Sequence, residues 1–194
     1  MSDRILVIDG HPDRDDARLC HALADAYQKG GKSGGHEVRQ IKVAEINFPL
    51  LRTSEQFESG QIPADIKAAP EAFQWCNHML IIYPLWLGTM PSLLKGFFEQ
   101  VFRPGFAFDN KTAGWPKGNL SGKSARIVVT MGMPGWVYRW IFGAHSLKSL
   151  ERNILRFAGI KPIRETIYGM VEAVSDAKRA RWLADMHDLG RRAK

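Results

Sequence analysis

His78-Met79-Leu80-Ile81-Ile82-Tyr83-Pro84-Leu85-Trp86-Leu87-Gly88-Thr89-Met90-Pro91-Ser92-Leu93-Leu94-Lys95-Gly96-Phe97-Phe98-Glu99-Gln100-Val101-Phe102 changes character twice. Residues 78–82 form an unbroken apolar run, the pattern of a strand buried on both faces, and Pro91 marks the opening turn of a helix. The loop between them, Tyr83 to Met90, is apolar and aromatic. It therefore stands at the carboxyl end of a buried strand, the place where open α/β sheets bind planar ligands.

The same alternation continues on both sides. Strand patterns fall at Arg4–Asp9, Glu37–Lys42, His78–Tyr83, Ala125–Met131 and Ile163–Tyr168, and helical patterns at about Asp16–Gln28, Asp65–Trp75, Pro91–Phe102, Ser146–Phe157 and Ser175–Leu189. Strand and helix in turn predict a parallel sheet covered on both faces. Five of each predict a three-layer α/β sandwich of the flavodoxin-like kind, with a five-stranded parallel sheet of order 2-1-3-4-5. In that order the first and third strands are neighbours, so the loops after them share one crevice.

At 194 residues the chain suits a single domain spanning 1–194. Cys20 and Cys76 stand far apart, without the spacing of a disulfide framework or a metal site. No signal-peptide pattern or membrane-length apolar run is found, so a cytoplasmic protein is expected. The net charge of +7 makes nucleic acid the first partner to test. The basic residues are scattered, with local excess only at Lys178–Arg181 and Arg191–Lys194, the pattern of a solvated helix face and a solvated end. No nucleic-acid partner is expected. The long connections Ala44–Ala64 and Arg103–Ser124, the second containing Trp115-Pro116, are of the length that is usually functional or packed at an interface.

Chemistry is carried by the loops after the strands. After the first comes Gly10-His11-Pro12-Asp13-Arg14-Asp15-Asp16-Ala17-Arg18. A helix starting here offers amides and a positive dipole end to a phosphate, with His11, Arg14 and Arg18 as further donors. The competing view is a helix start capped by Asp15 or Asp16. One glycine is too few for a dinucleotide-binding GxGxxG turn, and GxxxxGK[ST] is missing as well. After the fourth strand, Thr130-Met131-Gly132-Met133-Pro134-Gly135 lets a backbone approach a ligand closely, and Tyr138 and His145 supply polar hydrogen to an otherwise apolar surface. Trp136, Trp140, Ile141 and Phe142 suit an interface or a core. No nucleophile–base pair is evident, so the loops are equipped to hold a redox cofactor that does the chemistry itself.

At these residues the chain resembles the NAD(P)H:quinone oxidoreductase family, the DT-diaphorase-like flavoproteins. Pro84-Leu85-Trp86-Leu87 followed by Pro91 to Phe102 and Gly105-Phe106-Ala107-Phe108 carries the resemblance, supported by Gly10-His11-Pro12 and Thr130 to Gly135. It implies a flavin, FAD or FMN, with NAD(P)H as co-substrate and a quinone or similar flat acceptor reduced in ping-pong fashion. His11, Arg14, Ala17 and Arg18 would then face the flavin phosphates. Pro84, Leu85, Trp86 and Leu87 would line its ring, and Thr130, Met131, Gly132 and Gly135 would hold the pyrimidine side. Tyr138 and His145 would match the pair that offsets charge during hydride transfer. The resemblance also implies a homodimer with its site at the subunit interface, where Trp136–Phe142 and Phe106–Trp115 could serve. Other members act as ancillary subunits of potassium-efflux systems, so a regulatory role beside a membrane transporter is the alternative.

Overall fold

The computed structural model describes residues 2–109 and 117–194. Trp115-Pro116, with the part of the Arg103–Ser124 connection around them, lies outside the described residues. The elements are β1 (Arg4–Asp9), α1 (Leu19–Ser33), β2 (Glu37–Lys42), α2 (Ser54–Glu58), α3 (Ala69–Trp75), β3 (His78–Pro84), α4 (Ser92–Val101), β4 (Phe108–Asp109), β5 (Lys117–Gly118), β6 (Ser124–Thr130), α5 (His145–Lys148), β7 (Ile163–Tyr168) and α6 (Asp176–Arg191).

The main sheet is five-stranded and parallel, in the order β2-β1-β3-β6-β7. The numbering 2-1-3-4-5 is thereby corrected. β4 and β5 form a separate two-residue antiparallel ribbon inside the Arg103–Ser124 connection, and strands so short leave no alternation in sequence.

β3 is buried along its whole length, which explains why residues 78–82 read as continuous hydrophobicity. The side chains of β1 divide the core in two. Ile5 and Val7 join Leu23, Tyr27, Leu80, Ile82, Val128 and Met186 under α1 and α6, while Leu6 and Ile8 join Phe73, Ile81, Phe97, Phe98, Ile127 and Val129 under α3 and α4. The edge strands β2 and β7 are only partly covered.

Several element boundaries differ from the sequence pattern. α1 begins at Leu19, after the acidic turn, and its N-cap is Arg18 with no side-chain cap. Asp15 and Asp16 therefore do not cap it: Asp15 Oδ1 accepts the Ala17 amide at 3.0 Å within the turn. Pro91 precedes α4 as its N-cap. The helix expected over Ser146–Phe157 is α5 followed by a wide π turn over Ser149–Arg156.

Candidate functional site

β1 and β3 are neighbours, but the chain leaves β1 toward β2 on one side and returns on the other. The sheet order thus reverses between them, and their carboxyl ends open a crevice. A cleft of about 470 Å³ lies there, lined by His11, Asp13, Arg18, Pro84, Leu85, Trp86, Thr130, Met131, Gly132, Val171 and Glu172.

One wall follows β3. The amide of Leu85 donates to Thr130 O at 2.8 Å, tying this wall to the end of β6. Trp86 and Thr89 exchange backbone hydrogen bonds of 2.9 and 3.0 Å around Leu87 and Gly88, whose φ values are 47° and 79°. That is a tight turn of the kind with two left-handed central residues, unusual for leucine. Trp86 is half exposed and Leu87 entirely so.

The adjoining wall is the end of β6 laced to the end of β7. Met131 N donates to Tyr168 O at 2.9 Å, Met170 N to Met133 O at 3.1 Å, and Val171 N to Met131 O at 3.2 Å. A Cβ on Gly132 would meet nothing within 4 Å, so a ligand can lie against its backbone. Thr130 Oγ1 lies 3.2 Å from Cys20 Sγ on α1. Burial pushes that thiol up to about 12, so Cys20 serves as packing and not as a nucleophile.

The floor is the turn between β1 and α1. Asp9, wholly buried, accepts the His11 amide at 3.2 Å through Oδ1 and faces His21 Nδ1 at 2.5 Å through Oδ2. His11 Nδ1 accepts the Asp13 amide at 3.1 Å, which leaves its ring proton on Nε2. Burial and the neighbouring His21 charge hold His11 below the ordinary histidine range, so it enters the cleft as a neutral donor.

The cleft gathers His11, Arg18, Pro84, Leu85, Trp86, Thr130, Met131 and Gly132 from the residues singled out in the sequence. The others stand elsewhere. Arg14 Nε donates to Ala44 O at 2.8 Å, and the Ala17 amide is held by Asp15. Gly135 packs against Ile167, where a Cβ would come within 3.1 Å. Tyr138 is buried, its hydroxyl accepting the Leu147 amide at 3.1 Å beside a Tyr83–Ser146 hydroxyl contact of 3.3 Å. Burial raises its pKa, so the phenol stays protonated. His145 is exposed at the start of α5.

Asp9, Asp13, His21, Val171 and Glu172 were not singled out. Asp9 did carry a signal: a charge ending an otherwise apolar strand must find a partner once buried. The aromatic group after β6 is not core. Trp136 is 64% and Trp140 79% exposed, with Ile141, the last residue of a π turn over Val137–Ile141, and Phe142 just after it also outward. Among the described residues no His, Cys, Asp and Glu cluster could hold a metal, and no helix is long and apolar enough to cross a membrane.

Rat NAD(P)H dehydrogenase [quinone] 1 is 26% identical over 201 residues, covering 90% of this chain and 72% of that protein. The FMN-dependent NADH:quinone oxidoreductase of Nitratidesulfovibrio vulgaris is 26% identical over 168 residues, covering 75% and 76%. The NAD(P)H:quinone oxidoreductase structure from Methanothermobacter marburgensis superposes with a TM-score of 0.82 at 22% identity, over 98% of this chain and 96% of that one, and shows the fold alone. These names agree with the resemblance carried by Pro84–Phe108. The model of the flavodoxin-like fold family matches residues 3–189, and the chain belongs to that family.

Proposed function

We propose that the chain is a flavin-dependent NAD(P)H oxidoreductase that passes two electrons to a quinone or a similar flat acceptor. The observation that carries this is the cleft at the β1/β3 switch point, with a flat apolar wall at Pro84–Trp86, an open backbone at Gly132 and an uncapped helix start behind His11. These features fit a planar ring that carries a phosphate tail. The quinone-reductase names of the relatives support the same chemistry. The names given above include no transporter subunit.

His11 and Arg18 would hold the flavin phosphates, with Arg18 exchanging its contacts to Asp13 (2.7 Å) and Asp15 (3.5 Å) for the ligand. Pro84, Leu85 and Trp86 would line the ring on one side, and Thr130 to Gly132 on the other. When bound, the flavin supplies the hydride acceptor and donor, and the residues align partners and exclude water. Nicotinamide and acceptor would use the same open face of the cleft in turn, a ping-pong order. The resemblance would make Tyr138 and His145 the groups that offset charge, although neither lines the cleft of the single chain. The exposed Trp136, Trp140, Ile141 and Phe142 support a homodimer, since so large an apolar patch is a contact surface.

Trp86→Ala tests the wall. It should lower retained flavin and NAD(P)H-dependent quinone reduction by about tenfold, the loss expected for one aromatic contact. Flavin content and turnover both unchanged would remove Trp86 from the site.

A further inference from the structure

One charged group behind the cleft has no part in the proposed electron transfer. His21, in the first turn of α1, has oxygen on both ring nitrogens: Nδ1 lies 2.5 Å from Asp9 Oδ2, and Nε2 lies 2.8 Å from the carbonyl of Asp13. A carbonyl only accepts, and Asp9, whose Oδ1 accepts the His11 amide, faces the ring with Oδ2 as a second acceptor. Each contact then needs a proton on nitrogen. A neutral imidazole has one, an imidazolium two.

We infer that His21, as an imidazolium, is the positioning residue of the anion-binding turn, tying the Asp13 peptide to the end of β1 and holding the turn in the form that receives the flavin phosphates. This rests on the flavin reading of the cleft. The Asp13 backbone is gripped at both of its polar groups, its N–H donating to His11 Nδ1 and its carbonyl accepting from His21. The same residue's N–H therefore sets the tautomer of His11, whose ring stands edge-on to His21 at 5.2 Å and to Trp86 at 6.1 Å. Burial opposes charge on His21, but the bonds to Asp9 and Asp13 outweigh it and its pKa is raised. Arg14 and Arg18 are held by Ala44, Asp13 and Asp15, so neither fixes the end of β1 against the turn.

The test uses the full chain freed of flavin. Nitrogen-resolved NMR of the histidine rings at neutral pH should show protons on both nitrogens of His21 and on Nε2 alone of His11. In titrations with FMN and with FAD, His21→Gln, which keeps size and one donor, should weaken binding about tenfold. His21→Lys, which restores charge and several donors, should recover most of that loss. If affinity instead follows melting temperature through both variants, His21 is merely structural and the proposal fails. A His21 ring with a single proton, or unchanged affinity in a folded His21→Gln protein, would also overturn it. A parent chain that binds neither flavin defeats the flavin reading, and the ring protons of His21 then decide the clamp by themselves.

Discussion

Buried histidines in this chain differ by what faces each nitrogen. His21 has two acceptors and is raised, whereas His78, at the start of β3, has Ser124 Oγ at 2.7 Å from Nδ1 and a buried Nε2 with no partner among the described residues. Burial first, then the charges of Arg126, Arg164 and His36, lower His78 from 6.5 to about 4. A folded pKa below the unfolded one means that His78 takes nothing from stability above about pH 6.5. Between there and about pH 4 the unfolded state binds the proton first, and stability falls by roughly 3 kcal/mol in total. His78→Gln, which keeps a hydrogen bond to Ser124 without a titrating ring, should flatten the acid arm of urea-unfolding free energy against pH. An unchanged slope would place the acid sensitivity elsewhere. His21 works in the opposite sense, since its contribution is present below about pH 6.5 and fades as pH rises through its raised folded value.

Among the elements, α1 and α6 meet with backbones in contact. A Cβ on Gly30 would stand 1.9 Å from the His187 carbonyl oxygen, and one on Gly190 would stand 2.0 Å from that of Tyr27. Neither carbonyl can yield as a flexible side chain would. Gly30→Ala should therefore force the helices apart and cost about 3 kcal/mol in urea denaturation. Gly31→Ala meets side chains at 3.0 and 3.2 Å and backbone only at an ordinary 3.8 Å, and its gain in helix propensity should hold the change within about 1 kcal/mol. Equal costs would disprove a backbone seam. The strands and long helices were legible because their periods are strong: Ile5 to Ile8 and His78 to Ile82 could hardly be anything but buried strands. The start of α1 was not, because Asp13 and Asp15 spend their carboxylates on turn amides and leave Arg18 uncapped. β4 and β5 were too short to show a period.

Across the described residues, three of the four non-glycine residues in left-handed backbone lie in the connections after the strands that end at the mouth of the cleft, Leu87 after β3, Ala144 after β6 and Met170 after β7, while the fourth, Ala193, follows α6. Such strain collects at working sites held by a rigid frame. Sequence showed where the mouth lies and named most of its walls, because strand ends and loop composition are local properties. It did not show that Tyr138 turns inward while Trp136, Trp140, Ile141 and Phe142 turn out, because the π turn over Val137–Ile141 shifts the helical period that assigns faces. Nor did it show the Asp9–His21 contact, which only tertiary packing creates. The proposal for the whole molecule is a flavin, held in the cleft at the β1/β3 switch point, that cycles between a nicotinamide and a flat acceptor. The measurement that tests it most directly is the visible absorbance of the flavin-loaded protein under anaerobic conditions, first with NADH or NADPH and then with a quinone. The flavin band should bleach with one of the nicotinamides and return with the quinone. A protein that retains no flavin after gel filtration, or whose band neither nicotinamide bleaches, would contradict it.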